Sequence, residues 1–225
     1  MRTIDRVSQQ VAAARQPPEF GRQIPLSWSI SKRLIDVAVG LTASLATLPI
    51  VVVAIASISL VSKGSPVLAQ ERVGKNGARF KMYKLRTMVS GAHDMRGDLM
   101  HLNEVSGPVF KIKKDPRLHA IGAFLRRTSI DELPNFWNVL TGEMSVVGPR
   151  PPLACEVEHY DGSAMRRLTV KPGVTCYWQI SGRSNVSFEE WVRLDNQYID
   201  HWSPLEDLRI ILKTIPAVFV KDGAH

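Results

Sequence analysis

Two adjacent carboxylates, Asp131 and Glu132, follow a pair of arginines and precede a proline in the stretch RRTSIDELPN. A carboxylate placed there can act as a nucleophile or a metal ligand, and neighbouring arginines would keep it ionised. The same stretch also suits a helix start, because Ser129 and Glu132 have capping-box spacing and acids favour a helix N-terminus. Pro134 would be awkward at the fifth helical position, which favours a later start and an exposed acidic pair. Both interpretations stay open at the level of sequence.

Four arginines stand beside turns or at the ends of predicted elements, namely Arg86, Arg126, Arg150 and Arg183. Arginine binds phosphate oxygens through paired planar donors and keeps its charge at ordinary pH. With the acidic pair they predict a phosphate site, provided that the fold brings them together. The chain has neither a Walker phosphate loop nor a Gly-x-Gly-x-x-Gly fingerprint, which argues against a nucleotide hydrolase or a dinucleotide fold. The six histidines are scattered, so a zinc site is not expected.

A run of 25 uncharged, mostly apolar residues extends from Val37 to Val61, with Pro49 at its midpoint. It exceeds the roughly 20 residues that a helix needs to cross a bilayer core. Lys32 and Arg33 precede the run and Lys63 follows it, which favours the cytoplasmic side for both ends. Because proline removes a backbone donor and bends a helix, the pattern predicts a helix–break–helix that enters the membrane and returns. A kinked single-pass anchor fits the pattern equally well.

The composition is basic, with 29 Lys and Arg against 21 Asp and Glu and a formal net charge of +8. Beside a membrane segment, this excess indicates attraction to anionic headgroups and to phosphate-bearing substrates. No nucleic-acid-binding module is recognisable, so nucleic acid is not expected as a partner. Cys155 and Cys176 lack metal-ligand or redox spacing, which fits free thiols in a reducing compartment. The soluble part is therefore expected in the cytoplasm.

The remaining pattern predicts an α+β fold with three parts: a flexible lead-in at 1–31, the re-entrant membrane helix at 32–63 and a cytoplasmic domain at 64–225. Val67 to Val73 and Arg79 to Leu85 predict two short strands joined by a tight Asn-Gly turn, which makes a small β-hairpin. The rest of the cytoplasmic domain is expected to be mostly helical.

A strongly aromatic stripe marks a predicted helix near the C-terminus. Ser187 and Glu190 have capping-box spacing, and five large residues fall on one face of that helix: Phe188, Trp191, Leu194, Tyr198 and Trp202. The stripe could belong to the core, which is the commoner use, or it could lie in the headgroup layer as an interfacial amphipathic helix. A final helix is expected to open at Ser203-Pro204 and to end or bend at Pro216.

These residues form an ordered series of motifs that resembles the bacterial sugar transferases of the monotopic phosphoglycosyl transferase family. The resemblance covers about residues 31–220, and its specificity comes from the order of the motifs. In chain order they are Lys32-Arg33-Leu34-Ile35-Asp36, Gln70-Glu71-Arg72-Val73-Gly74, Tyr83-Lys84-Leu85-Arg86-Thr87-Met88, Asp115-Pro116-Arg117, Asp131-Glu132-Leu133-Pro134-Asn135, Val147-Gly148-Pro149-Arg150-Pro151, Lys171-Pro172-Gly173-Val174-Thr175 and Gly182-Arg183.

The resemblance implies a reaction in which a sugar 1-phosphate moves from a UDP-sugar to undecaprenyl phosphate, as the first membrane step of exopolysaccharide or other glycan synthesis. Glucose and galactose are the sugars expected first. It implies that Asp131 is the nucleophile and a ligand of Mg²⁺, and that Glu132 is its partner in a catalytic dyad. It further implies a re-entrant helix broken at Pro49 and phosphate-binding roles for Arg126, Arg150 and Arg183. Arg86 joins this set from the pattern of arginines alone.

The resemblance also implies a location at the bacterial inner membrane, with the catalytic domain on the cytoplasmic face and in contact with anionic lipids. A homodimer is compatible with it. Two positions depart from the family pattern. Glu143 stands where members often have Asp, which leaves a ligand role for it in doubt, and Leu48 precedes Pro49 where some members have Ser. The predicted break would then need another hydroxyl, such as that of Thr47.

Two other classes of protein fit part of the pattern. A non-catalytic membrane scaffold would use its basic face to bind anionic lipid, and its acidic pair would only cap a helix. A basic nucleic-acid binder would keep salt-sensitive binding after deletion of the apolar run. Release of a nucleoside monophosphate from a sugar nucleotide, dependent on a polyprenyl phosphate, separates the enzyme from the scaffold.

Overall fold

The structure is a computed structural model that describes residues 25–92, 94–104, 107–110, 112, 114–181 and 187–219. Helices and short strands are mixed along the chain, as an α+β fold requires. Most of the predicted lead-in and Arg183 lie outside the described residues.

Helix α1 spans Leu26–Val61 and continues through Pro49 without interruption. The predicted division into two helices is therefore not observed, since a proline inside a helix costs one hydrogen bond without ending it when packing holds both sides. The hydroxyl of Thr47 donates to the carbonyl of Ala43 at 2.7 Å. Only 11% of the most apolar 18-residue window is buried, which excludes the core helix of a soluble protein. The helix is long and apolar enough to cross a membrane.

The start of α1 differs from the sequence prediction, which placed residues 26–31 in the flexible lead-in. The helix begins directly after Pro25, whose restricted backbone suits a helix start. Trp28 then packs edge-on against Trp202, with ring centroids 5.9 Å apart. Tertiary packing therefore extends the helix into a polar segment that has no apolar periodicity of its own.

Strands β1 (Val67–Val73) and β2 (Arg79–Leu85) pair antiparallel, with Val67 opposite Leu85. They have the predicted bounds. The turn between them places Asn76 and Gly77 at φ 61° and 79°, in the left-handed region that Asn and Gly tolerate best.

A second sheet was not predicted. Its strands β3 (Ser145–Val147) and β4 (Gly173–Thr175) pair in parallel, with Ser145 opposite Gly173 and Val147 opposite Thr175. Each strand has only three residues, which is too short for an alternating pattern to be recognised in the sequence.

Seven further helices are described. They are α2 (Ala120–Arg127), α3 (Asn135–Thr141), α4 (Ala154–Val157), α5 (Gly162–Met165), α6 (Tyr177–Ile180), α7 (Phe188–His201) and α8 (Pro204–Phe219). Before helix α2, Leu118 forms an isolated β-bridge with Met88. Short 3₁₀ turns connect several of these helices.

The aromatic stripe of α7 belongs to the core, and all five of its residues are buried. The hydroxyl of Ser187 accepts a hydrogen bond from the backbone N–H of Glu190, which confirms the predicted cap. The alternative of an interfacial stripe on this helix is wrong, because the domain supplies apolar partners for it. The exposed apolar stripe lies on α8 instead, at Leu205, Leu208, Leu212 and Ile215.

Helix α1 packs against the globular domain, which comprises the described residues from 64 onward, at both of its ends. Near the C-terminal end, Ala54 and Ile58 share an apolar cluster with Leu85 of β2 and Leu125 of α2. Near the N-terminal end, Gly40 lies against α3. Large apolar side chains between these contacts are exposed, namely Leu41, Leu45, Leu48 and Ile50.

Candidate active site

The acidic pair lies in a single 3₁₀ turn, Ile130–Glu132, between α2 and α3. Ser129 precedes it at φ 56°, a left-handed conformation that is uncommon for a residue other than glycine. Its side chain makes no capping hydrogen bond, so the predicted capping box is wrong. Helix α3 begins later, at Asn135, with Pro134 at its N-cap. The prediction that Pro134 delays the helix is confirmed. The prediction that the acidic pair is exposed is wrong, because Asp131 is buried and Glu132 is partly buried.

Apolar packing holds this turn against the hairpin. Ile130 packs against the cluster that includes Leu125 and Leu85, and the turn lies along β2. Asp131 is consequently buried, with 8% of its surface exposed. The surrounding charges and the burial of Asp131 therefore govern its ionisation.

Burial and the adjacent Glu132 raise the pKa of Asp131 to about 7, while Lys84 and Arg126 act in the opposite direction. Asp131 makes no direct ion pair with any described residue. Desolvation therefore opposes the ionisation of the Asp131 carboxyl group, and the two neighbouring cations favour it. Perturbation of this kind is characteristic of functional carboxylates.

Lys84 on β2 interacts with Asp131, although it was not among the predicted site residues. Burial and the repulsion of Arg72 and Arg126 lower its pKa to about 8, and the attraction of Asp131 and Glu132 partly compensates. The nearby carboxylates therefore do not fully compensate the positive charge of the Lys84 ammonium. Binding of an anion next to Lys84 would stabilise that charge.

A cavity of about 480 Å³ opens between the hairpin, the segment that follows it and α2. Lys84 and Arg126, the two cations that act on Asp131, line it, whereas Asp131 and Glu132 are not among its lining residues. Apolar side chains make up much of its wall. Six cationic side chains also line it, namely Arg72, Lys84, Arg86, Arg96, Arg117 and Arg126, against the two carboxylates of Asp115 and Glu156. The excess of positive charge suits an anionic ligand such as a diphosphate.

The predicted arginines have different positions. Arg126 lines the cavity and donates from Nε to the hydroxyl of Thr87 at 3.1 Å. Arg86 also reaches the cavity, but its Nε and Nη1 donate to the carbonyls of Ser65 (2.7 Å) and Lys63 (3.1 Å), so it holds the chain that leaves α1.

Arg150 is half-buried and does not line the cavity. Its charge lowers the pKa of Arg72, a cavity residue, so it lies near the group without joining it. Arg183 is outside the described residues, and its predicted role stays a prediction.

Four of the cavity cations were not among the predicted site residues, namely Lys84, Arg72, Arg117 and Arg96. Arg72 donates to the carbonyl of Pro151 at 3.0 Å, and burial together with Arg150 lowers its pKa to about 10. Arg117 forms a bidentate pair with Asp115, at 2.8 and 2.6 Å. Arg96 lies over the Phe110 ring at 5.3 Å. The motifs that contain Arg72 and Arg117 were the available signal in the sequence.

A Mg²⁺ ion near Asp131 would need phosphate oxygens and water as further ligands. Among the described residues, no group of three or more His, Cys, Asp or Glu side chains could hold a metal by itself. Magnesium in phosphoryl-transfer sites is held by one or two carboxylates with phosphate oxygens and water. Asp131 and Glu132 supply such carboxylates.

Glu143 has a different task. Its Oε2 accepts from Asn138 Nδ2 at 2.7 Å and from Thr141 Oγ1 at 3.1 Å. Asn138 in turn bridges to β2, through the N–H of Tyr83 and the carbonyl of Lys81. The side chain of Glu143 therefore supports the contact between α3 and the hairpin.

Comparison with known proteins identifies the family of this chain. The family model described as Bacterial sugar transferase matches residues 27–221. The chain belongs to this family. A protein of Erwinia amylovora named UDP-galactose-lipid carrier transferase is 41% identical over 198 residues, which are 86% of this chain and 41% of that protein.

Two further relatives have similar identity. The Rhizobium meliloti exopolysaccharide production protein ExoY is 39% identical over 213 residues, or 93% of this chain and 94% of ExoY. The undecaprenyl-phosphate galactose phosphotransferase of Salmonella typhimurium is 39% identical over 166 residues, or 72% of this chain and 35% of that protein. The chain thus spans less than half the length of the Erwinia and Salmonella relatives.

Proposed function

We propose that this sugar transferase moves a sugar 1-phosphate from a UDP-sugar to undecaprenyl phosphate, with a covalent phosphosugar on Asp131 as the intermediate. The observation that carries the proposal is a buried carboxylate with a raised pKa beside a cavity with excess positive charge. The names of the relatives support the class of donor and acceptor. Exopolysaccharide synthesis is the pathway class that the name of ExoY supports.

In the first step, an oxygen of the ionised Asp131 carboxylate attacks the phosphorus that bears the sugar. The bond from this phosphorus to the bridging oxygen of the diphosphate breaks, and UMP leaves with that oxygen. In the second step, a phosphate oxygen of undecaprenyl phosphate attacks the same phosphorus and releases the Asp131 carboxylate. The product is a diphosphate that joins lipid and sugar.

Lys84 and Arg126 lie where they can neutralise the charge on the transferring group, which is the main requirement of phosphoryl-transfer catalysis. The negative charge of Glu132 raises the pKa of Asp131. Asp131 and Glu132 would hold Mg²⁺, which supplies further positive charge at the diphosphate when it is bound.

The packing of α1 supports a re-entrant or interfacial position for this helix. Gly40 and Ile58 both contact the globular domain, while the apolar side chains between them are exposed. A helix that crossed the bilayer would carry its two ends to opposite sides, and one soluble domain could not pack against both. We therefore place the domain on one face of the inner membrane, the cytoplasmic face.

The proposed function is tested with a UDP-sugar that is radiolabelled in its sugar. Purified protein with Mg²⁺ and no lipid acceptor should hold label after denaturation. Addition of undecaprenyl phosphate should transfer the label to the lipid. It should also allow repeated turnover, with one UMP released for each lipid that is labelled. Absence of any UMP release from a panel of UDP-sugars would instead favour the membrane scaffold.

The topology is tested with single cysteines placed near Lys32 and near Lys63, at the exposed positions 29 and 63, in a variant without Cys155 and Cys176. Both should react with an impermeant thiol reagent only from the cytoplasm, because both ends of α1 pack on one domain. Pro49→Leu restores the backbone donor and removes the clash, so it should favour a straight spanning helix. Periplasmic labelling of either position in the Pro49-containing protein would contradict the proposed topology.

A further inference from the structure

Asp36 is an acidic residue inside the long apolar helix, and it is buried against β3. Only 3% of its surface is exposed. Its Oδ1 accepts two hydrogen bonds, from Ser145 Oγ and from the backbone N–H of Val146, both at 2.8 Å. Burial of a carboxylate is unfavourable unless it is hydrogen-bonded in this way. The contact therefore fixes this part of α1 on β3.

Lys32 fixes the same strand one helical turn earlier. Its Nζ donates to the carbonyl of Val147 at 3.1 Å and to Asp207 Oδ2 of α8 at 2.8 Å. Asp207 is 1% exposed and also accepts from Tyr198 Oη (2.7 Å) and from Trp202 Nε1 (3.1 Å). The cation that precedes the apolar run is thus enclosed by the globular domain.

Beyond β3 the chain enters a rigid segment, residues 148–152, which we call the Arg150 arm. Its prolines fix the backbone on both sides of Arg150. A side chain at Gly148 would lie 2.4 Å from the carbonyl of Lys171, so the arm passes against its neighbour with no room to shift. Donors from β4 and β1 hold the arm further along: Gly173 N to Pro149 O (2.9 Å), Arg72 Nη1 to Pro151 O (3.0 Å) and Val73 N to Pro152 O (3.0 Å).

A continuous series of contacts consequently runs from α1 through β3 and the Arg150 arm to Arg72 at the cavity. We infer that Lys32 and Asp36 are positioning residues, which set the place of the Arg150 arm, and through it of Arg150 and of Arg72 at the cavity, relative to the membrane helix. This inference rests on the proposed function, because it takes the cavity that Arg72 lines as the binding site of the donor. The inference gives Lys32 and Asp36 a role in positioning the active site. From the sequence, Lys32 is only a charge that flanks the apolar run, and Asp36 is only a residue of the helix.

The physical reason is stiffness. A three-residue strand followed by a proline-rich arm cannot absorb a displacement at its start, so a shift of β3 reaches Arg150. Displacement of a binding group by about 1 Å can cost roughly 100-fold in rate. The hydrogen bonds of Asp36 and Lys32 to β3 are the contacts that prevent such a shift from the side of α1.

The test compares Asp36→Leu with Asp36→Asn. The amide oxygen of asparagine can still accept from Ser145 and Val146, whereas leucine has similar size and no acceptor. We expect Asp36→Leu to raise the KM for the UDP-sugar and to lower kcat/KM by about 100-fold. Asp36→Asn should remain within a few-fold of the unsubstituted protein. A loss of folded enzyme alone would lower kcat and leave the donor KM unchanged, which would overturn the inference.

Hydrogen exchange gives a readout that does not depend on activity. In Asp36→Leu, the amides of residues 145–150 should exchange faster, while those of α7 should keep their protection. Unchanged exchange at 145–150 would contradict the inference even if activity fell. Absence of turnover in the unsubstituted protein would refute the proposed function and leave this structural test intact.

Lys32→Met and Lys63→Met form a matched pair of charge removals at the two flanks of α1. Lys63 is exposed, whereas Lys32 is bound to Val147 and Asp207. If flanking charge alone mattered, the two variants would behave alike. We expect only Lys32→Met to raise the donor KM and to loosen residues 145–150. Lys32→Met can replace Asp36→Leu in this test if Asp36→Leu folds poorly. In Lys32→Met, the buried Asp207 keeps the hydrogen bonds from Tyr198 and Trp202.

A double substitution separates positioning of Arg150 from an independent effect. If Asp36 acts through Arg150, the combination of Asp36→Leu with Arg150→Lys should be little worse than the more harmful single change. Multiplication of the two losses would show that Asp36 acts by another route, and it would overturn the inference.

Discussion

Asp131 and Asp195 are both buried carboxylates, 8% and 1% exposed, yet their surroundings differ in kind. Asp195 accepts from Arg167 Nε at 2.7 Å, and Arg167 also donates to the hydroxyl of Tyr160 at 2.9 Å. Asp131 has no such direct partner among the described residues. Its nearest cations line a cavity that holds more positive than negative charge. One charge is balanced within the fold, and the other is left for a ligand to balance.

This difference separates a structural charge from a functional one. Removal of one partner from a buried pair leaves the other charge uncompensated, which strongly destabilises a fold. Where a carboxylate does not stabilise the fold, its desolvation can instead shift its pKa to a value that suits catalysis. The two sites should therefore respond oppositely to the same substitution.

The largest effect is expected from Asp131→Asn. An amide cannot attack phosphorus usefully, so turnover and covalent labelling should fall by about 10³-fold or more. The thermal midpoint in detergent should not fall at pH 8, because the substitution removes a charge that burial disfavours. Retention of label by this variant would show that Asp131 is not the nucleophile, and a direct displacement would then replace the two-step mechanism.

Asp195→Asn should show the reverse pattern. It leaves the Arg167 charge without its carboxylate, so we expect a loss of about 3 kcal/mol in the free energy of unfolding. The molecules that remain folded should keep their donor KM. A normal thermal midpoint would mean that the pair does not support the fold, and the contrast between the two aspartates would fail.

Arg150→Lys tests whether geometry or charge matters beside the cavity. Lysine keeps the charge and loses the paired planar donors, so we expect activity to fall by about 100-fold with little change in membrane yield. The yield is read from the membrane fraction and the activity from UMP release. Near-normal turnover would assign Arg150 to the proline-rich turn alone.

The smallest effects concern pH. The acid limb of kcat/KM for the donor should lie near the Asp131 pKa of about 7. Glu132→Gln removes a negative neighbour and should move the limb to lower pH, while Lys84→Met removes a positive neighbour and should move it to higher pH. Each shift is expected to be about one unit. A shift of both variants in the same direction would contradict the charge balance inferred at Asp131.

The raised pKa of Asp131 also has a consequence for stability. The folded protein binds this proton more tightly than the unfolded chain, whose carboxyl has the ordinary pKa of 3.8. This contribution favours the fold at low pH and is lost as the pH rises from about 4 to about 7. Asp131→Asn should lack that component of the pH dependence of unfolding.

Local patterns predicted the local elements well. The two strands of the hairpin have their predicted bounds, although the connection between them comprises residues 74–78 and is longer than a two-residue Asn-Gly turn. Pro134 indicated the late start of α3 for an equally local reason. Strands β3 and β4 escaped prediction because each is short and depends on a partner far along the chain.

The site was predicted in part. Asp131, Glu132 and Arg126 were predicted as site residues, and the structure brings their charges close to one another, with Arg126 at the cavity wall. Lys84 was not predicted, although it is buried near Asp131 and desolvation lowers its pKa to about 8. Alternation along a strand tells which residues share a face, but it does not tell whether water or another helix covers that face.

The apolar helix, the basic excess and the order of motifs that marks the family could be read from the chain, since each depends on composition or on residues close together. The fold was needed to show which cations line the cavity, that Asp131 is buried near them, and that Lys32 and Asp36 bind β3. These properties depend on distances between residues that are far apart in the chain. Desolvation and Coulomb interaction act through space, so no local pattern specifies them.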